Sequence, residues 1–532
     1  MATTTERRGR AASPAPETPG RLGHGHPWLT LLSLSLGLVM VGLDGTVVSI
    51  ANPTIGKDLH ASLSGLQWVT NGYLLAIASL LVAGGKLGDM FGRKKMFLAG
   101  IAVFTLSSLG CGLSHSIGVL ITFRVLQGVG AALMMPQTLA ILRNTFPAEQ
   151  LQMAVGIWAG ASMLSTAAGP IVGGLLVEHV NWQSIFFINL FVGAVAATVG
   201  WWFIRESRDP AETRLDVPGL LLLSGSLFVL VWTIIKTGTH GWLSAYTILL
   251  LALSAGLLAA WVWWMRRAPE PLIPLDLFRS RSLDAGLFIM LAIAFALFGV
   301  IFFVTLYLQR VQGLSPVEAG VQMLPLTGVV AISSVIGGVL GGKVPLRLQL
   351  TTGLLLVTGG LVGLVGIDPS GSSWGPLWLW FVLIGLGMGQ VFTTSAEVIV
   401  GSVVKERAGA ASGLQQTFLQ VGGALGTSVL GAILTAGIGA TILGRLAGVG
   451  VTGRLASQVA AGKTAIAQGV VPVPAGTSAA VAAKITEASQ AALTQSMHTA
   501  FLVAAGVSLA AAVVAVLFVR VQGGSGSAAL MG

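Results

Sequence analysis

Long apolar runs alternate with short polar breaks along nearly the whole chain. A helix that crosses a bilayer needs about 20 mostly apolar residues. Such runs fall near 28–50, 66–84, 96–113, 117–141, 154–178, 184–204, 217–235, 245–265, 284–308, 319–341, 348–366, 375–399, 408–436 and 498–519, which predicts fourteen membrane-spanning helices. Lipid offers the backbone no hydrogen-bond partner, so runs of this length read as helices and the fold class as an all-α integral membrane protein. One break is long: residues 437–497 are rich in Ala, Gly, Val and Thr and are expected to hold short amphipathic helices near the outer surface.

Within the runs the polar exceptions carry the information. Asp44, Arg124 and Glu397 lie inside apolar sequence. An ionised side chain at the centre of a membrane helix costs about 2.5–3.5 kcal/mol on insertion scales, so each needs a partner or a water-filled cavity. Asp44 and Arg124 fall at similar depths in the first and fourth runs and are expected to pair around a cavity. In that setting Arg124 favours the ionised form of Asp44 while burial favours the protonated one, which suits a proton carrier. Glu397 lies near the inner end of the twelfth run, as a second proton-coupling candidate or an interfacial anchor, and Asn71 and Gln127 are candidates for lining a substrate cavity.

Charge then sets the orientation. The 532 residues include 29 Lys and Arg and 19 Asp and Glu, a formal net charge of +10. With the N-terminus inside, Lys86, Arg93, Lys94, Lys95, Arg143, Arg205, Arg266, Arg267, Arg279, Arg281, Arg347 and Lys405 all fall in cytoplasmic segments, as the positive-inside rule requires. The basic balance is therefore topological, which excludes nucleic acid as a partner, and an even span count puts both termini in the cytoplasm. Only 9% of residues are charged and 54% are hydrophobic, with a mean hydropathy of +0.86, far from a soluble domain. Residues 1–26 are polar and Arg-rich and read as a disordered cytoplasmic tail. The first run is too long for a signal peptide and is expected to be retained. The single cysteine, Cys111, allows no internal disulfide and no cysteine-based metal cluster. Gly448-Val-Gly-Val-Thr-Gly453 lacks a surrounding βαβ unit, and Gly462-Lys463-Thr464 has Ser457 where a phosphate loop needs its first glycine. No cofactor is expected.

Five motifs stand along the chain. Gly85-Lys-Leu-Gly-Asp89-Met-Phe-Gly92-Arg93-Lys94-Lys95 links the second and third runs. It resembles the signature loop of the major facilitator superfamily, G-x-L-(a/g)-D-x-x-G-R-(R/K). Arg124-Val-Leu-Gln127-Gly128-Val-Gly130-Ala-Ala132 is similar to that superfamily's R-x-x-x-G-x-(g/a)-A motif. Gly156, Ser165 and Gly169-Pro170-Ile-Val-Gly173-Gly174 resemble the antiporter motif of its exporters, with Ser165 where the family has Gly. Leu43-Asp44-Gly-Thr46-Val47-Val-Ser49-Ile-Ala-Asn52-Pro53 resembles the first-helix motif L-D-x-T-I-V-N-V-A-L-P, and Asn181-Trp182-Gln183-Ser184-Ile-Phe-Phe-Ile-Asn189 resembles W-R-W-I-F-x-I-N. A degraded copy of the signature loop recurs at Gly338-Val-Leu-Gly-Gly342-Lys343.

The resemblance is to the fourteen-helix drug:proton antiporters. It implies two six-helix bundles, 27–205 and 271–521, a linker at 206–270 carrying two extra helices, and a cytoplasmic tail at 522–532. It further implies a cytoplasmic gating loop (Gly85, Asp89, Gly92, Arg93, Lys94) and proton-coupled export of an amphipathic or hydrophobic small molecule across the plasma membrane by a functional monomer in the lipid bilayer. Export of an endogenous metabolite, lipid or siderophore is the alternative, and a non-transporting scaffold or receptor a more distant one.

Overall fold

A computed structural model describes residues 25–208, 216–269, 271, 273, 275–340, 344–367, 376–403, 408–474 and 476–519. Most of the expected N-terminal tail, the 522–532 tail, and Gly342, Lys343 and Lys405 lie outside them. The chain forms α1 (Pro27–Asp58), α2 (Leu63–Phe91), α3 (Arg93–Gly112), α4 (Ile117–Thr145), α5 (Ala148–His179) and α6 (Ser184–Phe203). α7 (Val217–His240) and α8 (Ala245–Met265) follow. Then come α9 (Arg281–Leu306), α10 (Pro316–Gln322), α11 (Leu324–Leu340), α12 (Leu346–Gly363), α13 (Leu377–Gly401), α14 (Ala408–Gly448), α15 (Gly453–Ala461), α16 (Lys463–Ile466) and α17 (Ala479–Phe518). Among the described residues, twelve helices are long and apolar enough to cross a membrane, and up to fourteen if bent pairs such as α10–α11, angled at 41°, count as single spans.

Helix starts are written locally. Ser62, Ser116, Ser244 and Ser280 each accept the backbone N–H three residues on, as does Asp216 at the head of α7. Ser315 and Glu318 form a reciprocal capping box on α10. Each side chain satisfies an N–H that the first helical turn cannot.

The packing repeats. In the first half α1 packs on α5 and α6, α2 on α4, and α3 on α4 and α6; in the second, α9 packs on α14 and α17, α11 on α13, and α12 on α13 and α17. The correspondence α1–α6 with α9, α11, α12, α13, α14 and α17 is an internal repeat of two six-helix bundles. Close contacts use small residues, because membrane helices gain from backbone approach rather than from apolar burial. A Cβ on Gly128 would lie 2.6 Å from the Tyr73 carbonyl, and one on Gly130 2.5 Å from the Phe104 nitrogen. α7 and α8 stand between the bundles in sequence. They clasp each other through reciprocal bonds of Ser226 and Ser254 hydroxyls to each other's carbonyls (3.0 and 2.9 Å). α7 reaches the bundles through Phe228 and Trp232, whose rings lie 5.4 and 5.7 Å from that of Trp68 on α2.

Two expectations change. α1 runs on to Asp58, eight residues past the end of its apolar run, so Asp44 lies fourteen residues from the helix end. The long break is not a soluble segment carrying only short surface helices. α14 and α17 continue beyond the apolar stretch as one helical hairpin, and only α15 and α16 in its turn are short. Hydropathy marks where a helix leaves lipid, not where it ends.

Candidate functional site

α1 presents two faces within one stretch. One packs on α5. Pro170 has no N–H, so the Thr166 carbonyl one turn earlier loses its helical donor. The Thr46 hydroxyl takes that place at 3.1 Å. Gly169 and Gly173 give Thr46 and Val47 room, since a Cβ on either would collide with them. Ser165 stands over Gly42, which has no side chain to displace it, and its hydroxyl donates to the Ser162 carbonyl at 2.7 Å.

The other face carries Asp44, fully buried together with Arg124, Gln127, Ser108 and Asn189 (0–1% exposed). The Arg124 guanidinium pairs with Asp44 Oδ2. Its Nε donates to the Val69 carbonyl at 3.0 Å, Nη1 donates to Gln127 Oε1 at 2.6 Å, and its plane lies 4.2 Å from the Tyr73 ring centre. Gln127 Nε2 donates to Asp44 Oδ1 at 2.9 Å and to Ser108 Oγ at 2.7 Å. Asn189 Nδ2 donates to Ser108 Oγ at 3.1 Å and lies 3.5 Å from Asp44 Oδ1. Cys111 Sγ approaches Gln127 Oε1 at 3.8 Å. Five helices thus build one charge-balanced cluster, and every group aimed at the carboxylate is a donor. That arrangement holds an anion in a medium where an unpaired one would be prohibitive.

The signature loop forms a second site. Arg93 Nη2 is 2.7 Å from Asp89 Oδ1 across the break between α2 and α3. Gly92 adopts φ 116°, open to glycine at little cost. A Cβ there would also strike the Glu206 carboxylate at 2.6 Å. Glu206 accepts the N–H groups of Lys94 (3.0 Å) and Lys95 (3.3 Å) and so caps α3. Lys94 Nζ donates to the Trp201 carbonyl at 2.6 Å. Gly85 lies on the same α2 end, opposite Pro136 of α4.

A sequence profile described as the Major Facilitator Superfamily matches residues 34–427. The tetracenomycin C resistance and export protein of Streptomyces glaucescens is 45% identical over 505 residues, covering 94% of this chain and 93% of that protein. The multidrug efflux pump LfrA of Mycolicibacterium smegmatis is 32% identical over 507 residues, covering 93% and 96%. The chain belongs to the drug-efflux transporters of the major facilitator superfamily. It is a multi-pass cell-membrane transport protein, not an enzyme. A bacterial homologue of the human lysosomal transporter Spinster, solved in an inward-facing and unoccupied conformation, shares the fold with a TM-score of 0.59 at 19% identity, covering 91% of this chain and 96% of that one.

In this transporter the halves meet along α2–α14 and at the end opposite the signature loop. Asn71 Nδ2 donates to Ser428 Oγ at 2.8 Å, and Gln67 Nε2 to the Thr427 carbonyl at 2.8 Å. Gln309 of the second half donates to the Ile50 carbonyl at 3.0 Å, and the Arg310 guanidinium to that of Pro53. The Val317 N–H at the head of α10 donates to Glu178 Oε2 at 3.0 Å, and Gly174 and Gly320 let α5 and α10 touch. Asn71 and Gln127 therefore do not face an open cavity: Asn71 is bound into the inter-half contact and Gln127 into the Asp44 cluster. Glu397 is exposed on α13, one turn from its end and apart from that cluster. Gly156 lies on α5 near its start. Ser108, Asn189, Glu206 and the partner of Glu178 were not singled out from sequence. Asn189 alone had a signal, as the last residue of the W-x-x-I-F-F-I-N segment.

Proposed function

We propose that this transporter is a drug:proton antiporter that exports an amphipathic or hydrophobic antibiotic by alternating access, with Asp44 as the proton carrier. The observation that carries the reading is the full burial of Asp44 in a shell of donors centred on Arg124. Ionised Asp44 is held by those donors, and protonation neutralises the anion that holds Arg124, so proton and substrate would alternate. Under the positive-inside orientation the signature loop and both termini are cytoplasmic. The sealed end is then the outer one, and the state described faces inward. Asp89–Arg93 and the Glu206 cap form the cytoplasmic latch, and the transporter acts as a monomer. The similarity to the tetracenomycin C exporter supports an antibiotic cargo. The metabolite, lipid or siderophore alternative has no observation of its own in its favour.

The test is export by purified protein in proteoliposomes under an imposed pH gradient. Wild type should concentrate substrate and lose that ability with a protonophore. Asp44→Asn should keep substrate exchange but lose gradient-driven accumulation. Full accumulation by Asp44→Asn would exclude Asp44 as the carrier.

A further inference from the structure

The Asp44 cluster is complete for an anion and incomplete for an acid. Arg124 Nη1, Gln127 Nε2 and Asn189 Nδ2 all present hydrogens to the carboxylate. A protonated Asp44 carries an O–H that must donate to something, and a buried donor without an acceptor is expensive. The Gln127 oxygen is taken by Arg124 at 2.6 Å, and the Val69 carbonyl by Arg124 Nε. Asn189, whose amide already reaches the carboxylate, brings an idle acceptor: its Oδ1 is buried and has no hydrogen-bond partner.

We propose that Asn189 is the residue that adapts the site to the protonation state of Asp44, by turning its amide over. This rests on the reading of Asp44 as proton carrier. Turned by about 180°, the amide brings Oδ1 to the place Nδ2 now holds, 3.5 Å from Asp44 Oδ1 and 3.1 Å from Ser108 Oγ. The proton added to Asp44 stays on its carboxyl oxygen and is donated to Asn189 Oδ1. The Ser108 hydroxyl, now an acceptor from Asn189, rotates to donate to the same oxygen. One amide atom lacks a partner before the turn and one after it, so the turn exchanges orphans rather than adding one. Asparagine suits this task because its two ends are nearly equal in shape and opposite in hydrogen-bonding sense. The charged and titratable groups facing Asp44 are Arg124 from α4, Tyr73 from α2 and Cys111 from α3. Among the described residues, α6 brings Asn189 and no titratable group into that contact, and α5 packs on the other face of α1. Arg124 keeps Gln127, Val69 and the Tyr73 face in both states, so it need not leave for the amide to turn.

The test is infrared difference spectroscopy of the reconstituted full-length protein, titrated with pH, with asparagine side-chain carbonyls labelled with carbon-13. In the wild type a protonated-carboxyl band absent from Asp44→Asn should rise together with a change in a labelled amide band, both with one apparent pKa. In Asn189→Leu the acid loses its acceptor. Its carboxyl band should move to higher wavenumber, the mark of an acid that donates no hydrogen bond. A mere packing role for Asn189 would change stability without moving that band. A wild-type carboxyl band that titrates while the labelled amides stay unchanged would overturn the proposal without needing any variant, as would an Asn189→Leu band at the wild-type frequency. If no carboxyl band depends on Asp44, the carrier reading and the amide turn both fall. If that band is present but blind to Asn189, only the turn does.

Discussion

Asp44 and Arg124 illustrate what a single residue can announce. A carboxylate and a guanidinium inside apolar runs are too costly to be incidental, so their pairing was legible before any coordinates. Their setting was not. Ser108 and Asn189 are common polar residues that a membrane helix tolerates, and only the convergence of α1, α3, α4 and α6 brings them into the hydrogen-bonded cluster around one carboxylate. The same geometry makes Arg124 hard to replace. A lysine has no planar fork to hold Asp44, Gln127 and the Val69 carbonyl at once. Arg124→Lys should keep the charge yet lose roughly 1–3 kcal/mol through acceptors left bare. Arg124→Ala should lose about 3–5 kcal/mol by stranding the Asp44 anion. Thermal unfolding in detergent, followed by intrinsic fluorescence, would rank the two; equal losses would mean that charge alone matters.

Among the elements, α1 and α5 show how a proline on one helix can recruit a side chain on another. The resemblance to an antiporter motif groups Gly169, Pro170, Gly173 and Gly174 but does not say what each touches. Gly169 and Gly173 receive α1, whereas Gly174 receives α10 of the other half. Gly169→Ala should drive the Thr46 hydroxyl off the Thr166 carbonyl and destabilise the transporter by about 1–3 kcal/mol. Thr46→Ala in the same chain should restore much of that loss, since the two changes share one contact and need not add. A double variant no more stable than the sum of its parts would show that the strain lies elsewhere. The Gly92 turn obeys a similar logic at the signature loop. The signature motif marks Gly92 in the sequence, while the space it leaves for the Glu206 cap is hidden there, because Glu206 is over a hundred residues away in the chain.

Taken whole, the molecule is two like bundles sealed at one end by bonds that cross between them. Alternating access requires that seal to break in every cycle. Glu178 and Val317 face each other across it, and the single cysteine, Cys111, is buried on α3. In a Cys111→Ser background, Glu178→Cys with Val317→Cys should be joined by a short bis-methanethiosulfonate cross-linker, through disulfides that a reductant cleaves. Transport should then stop and return on reduction, while either single variant stays active. Transport undiminished by the link would mean that this end does not open. Residue order alone was enough for an all-helical membrane protein of a dozen or more spans, the orientation expected from its charges, the intramembrane acid and base, and the family. These are properties of composition along a line, and the bilayer enforces them on each helix separately. Only the tertiary structure decided which polar residues share the Asp44 site and which, like Asn71, are bound into the contact between halves. It also decided that the Asn189 oxygen has no partner. Those facts depend on the rotation and depth of helices that meet across long stretches of chain, and an apolar run carries no mark of either.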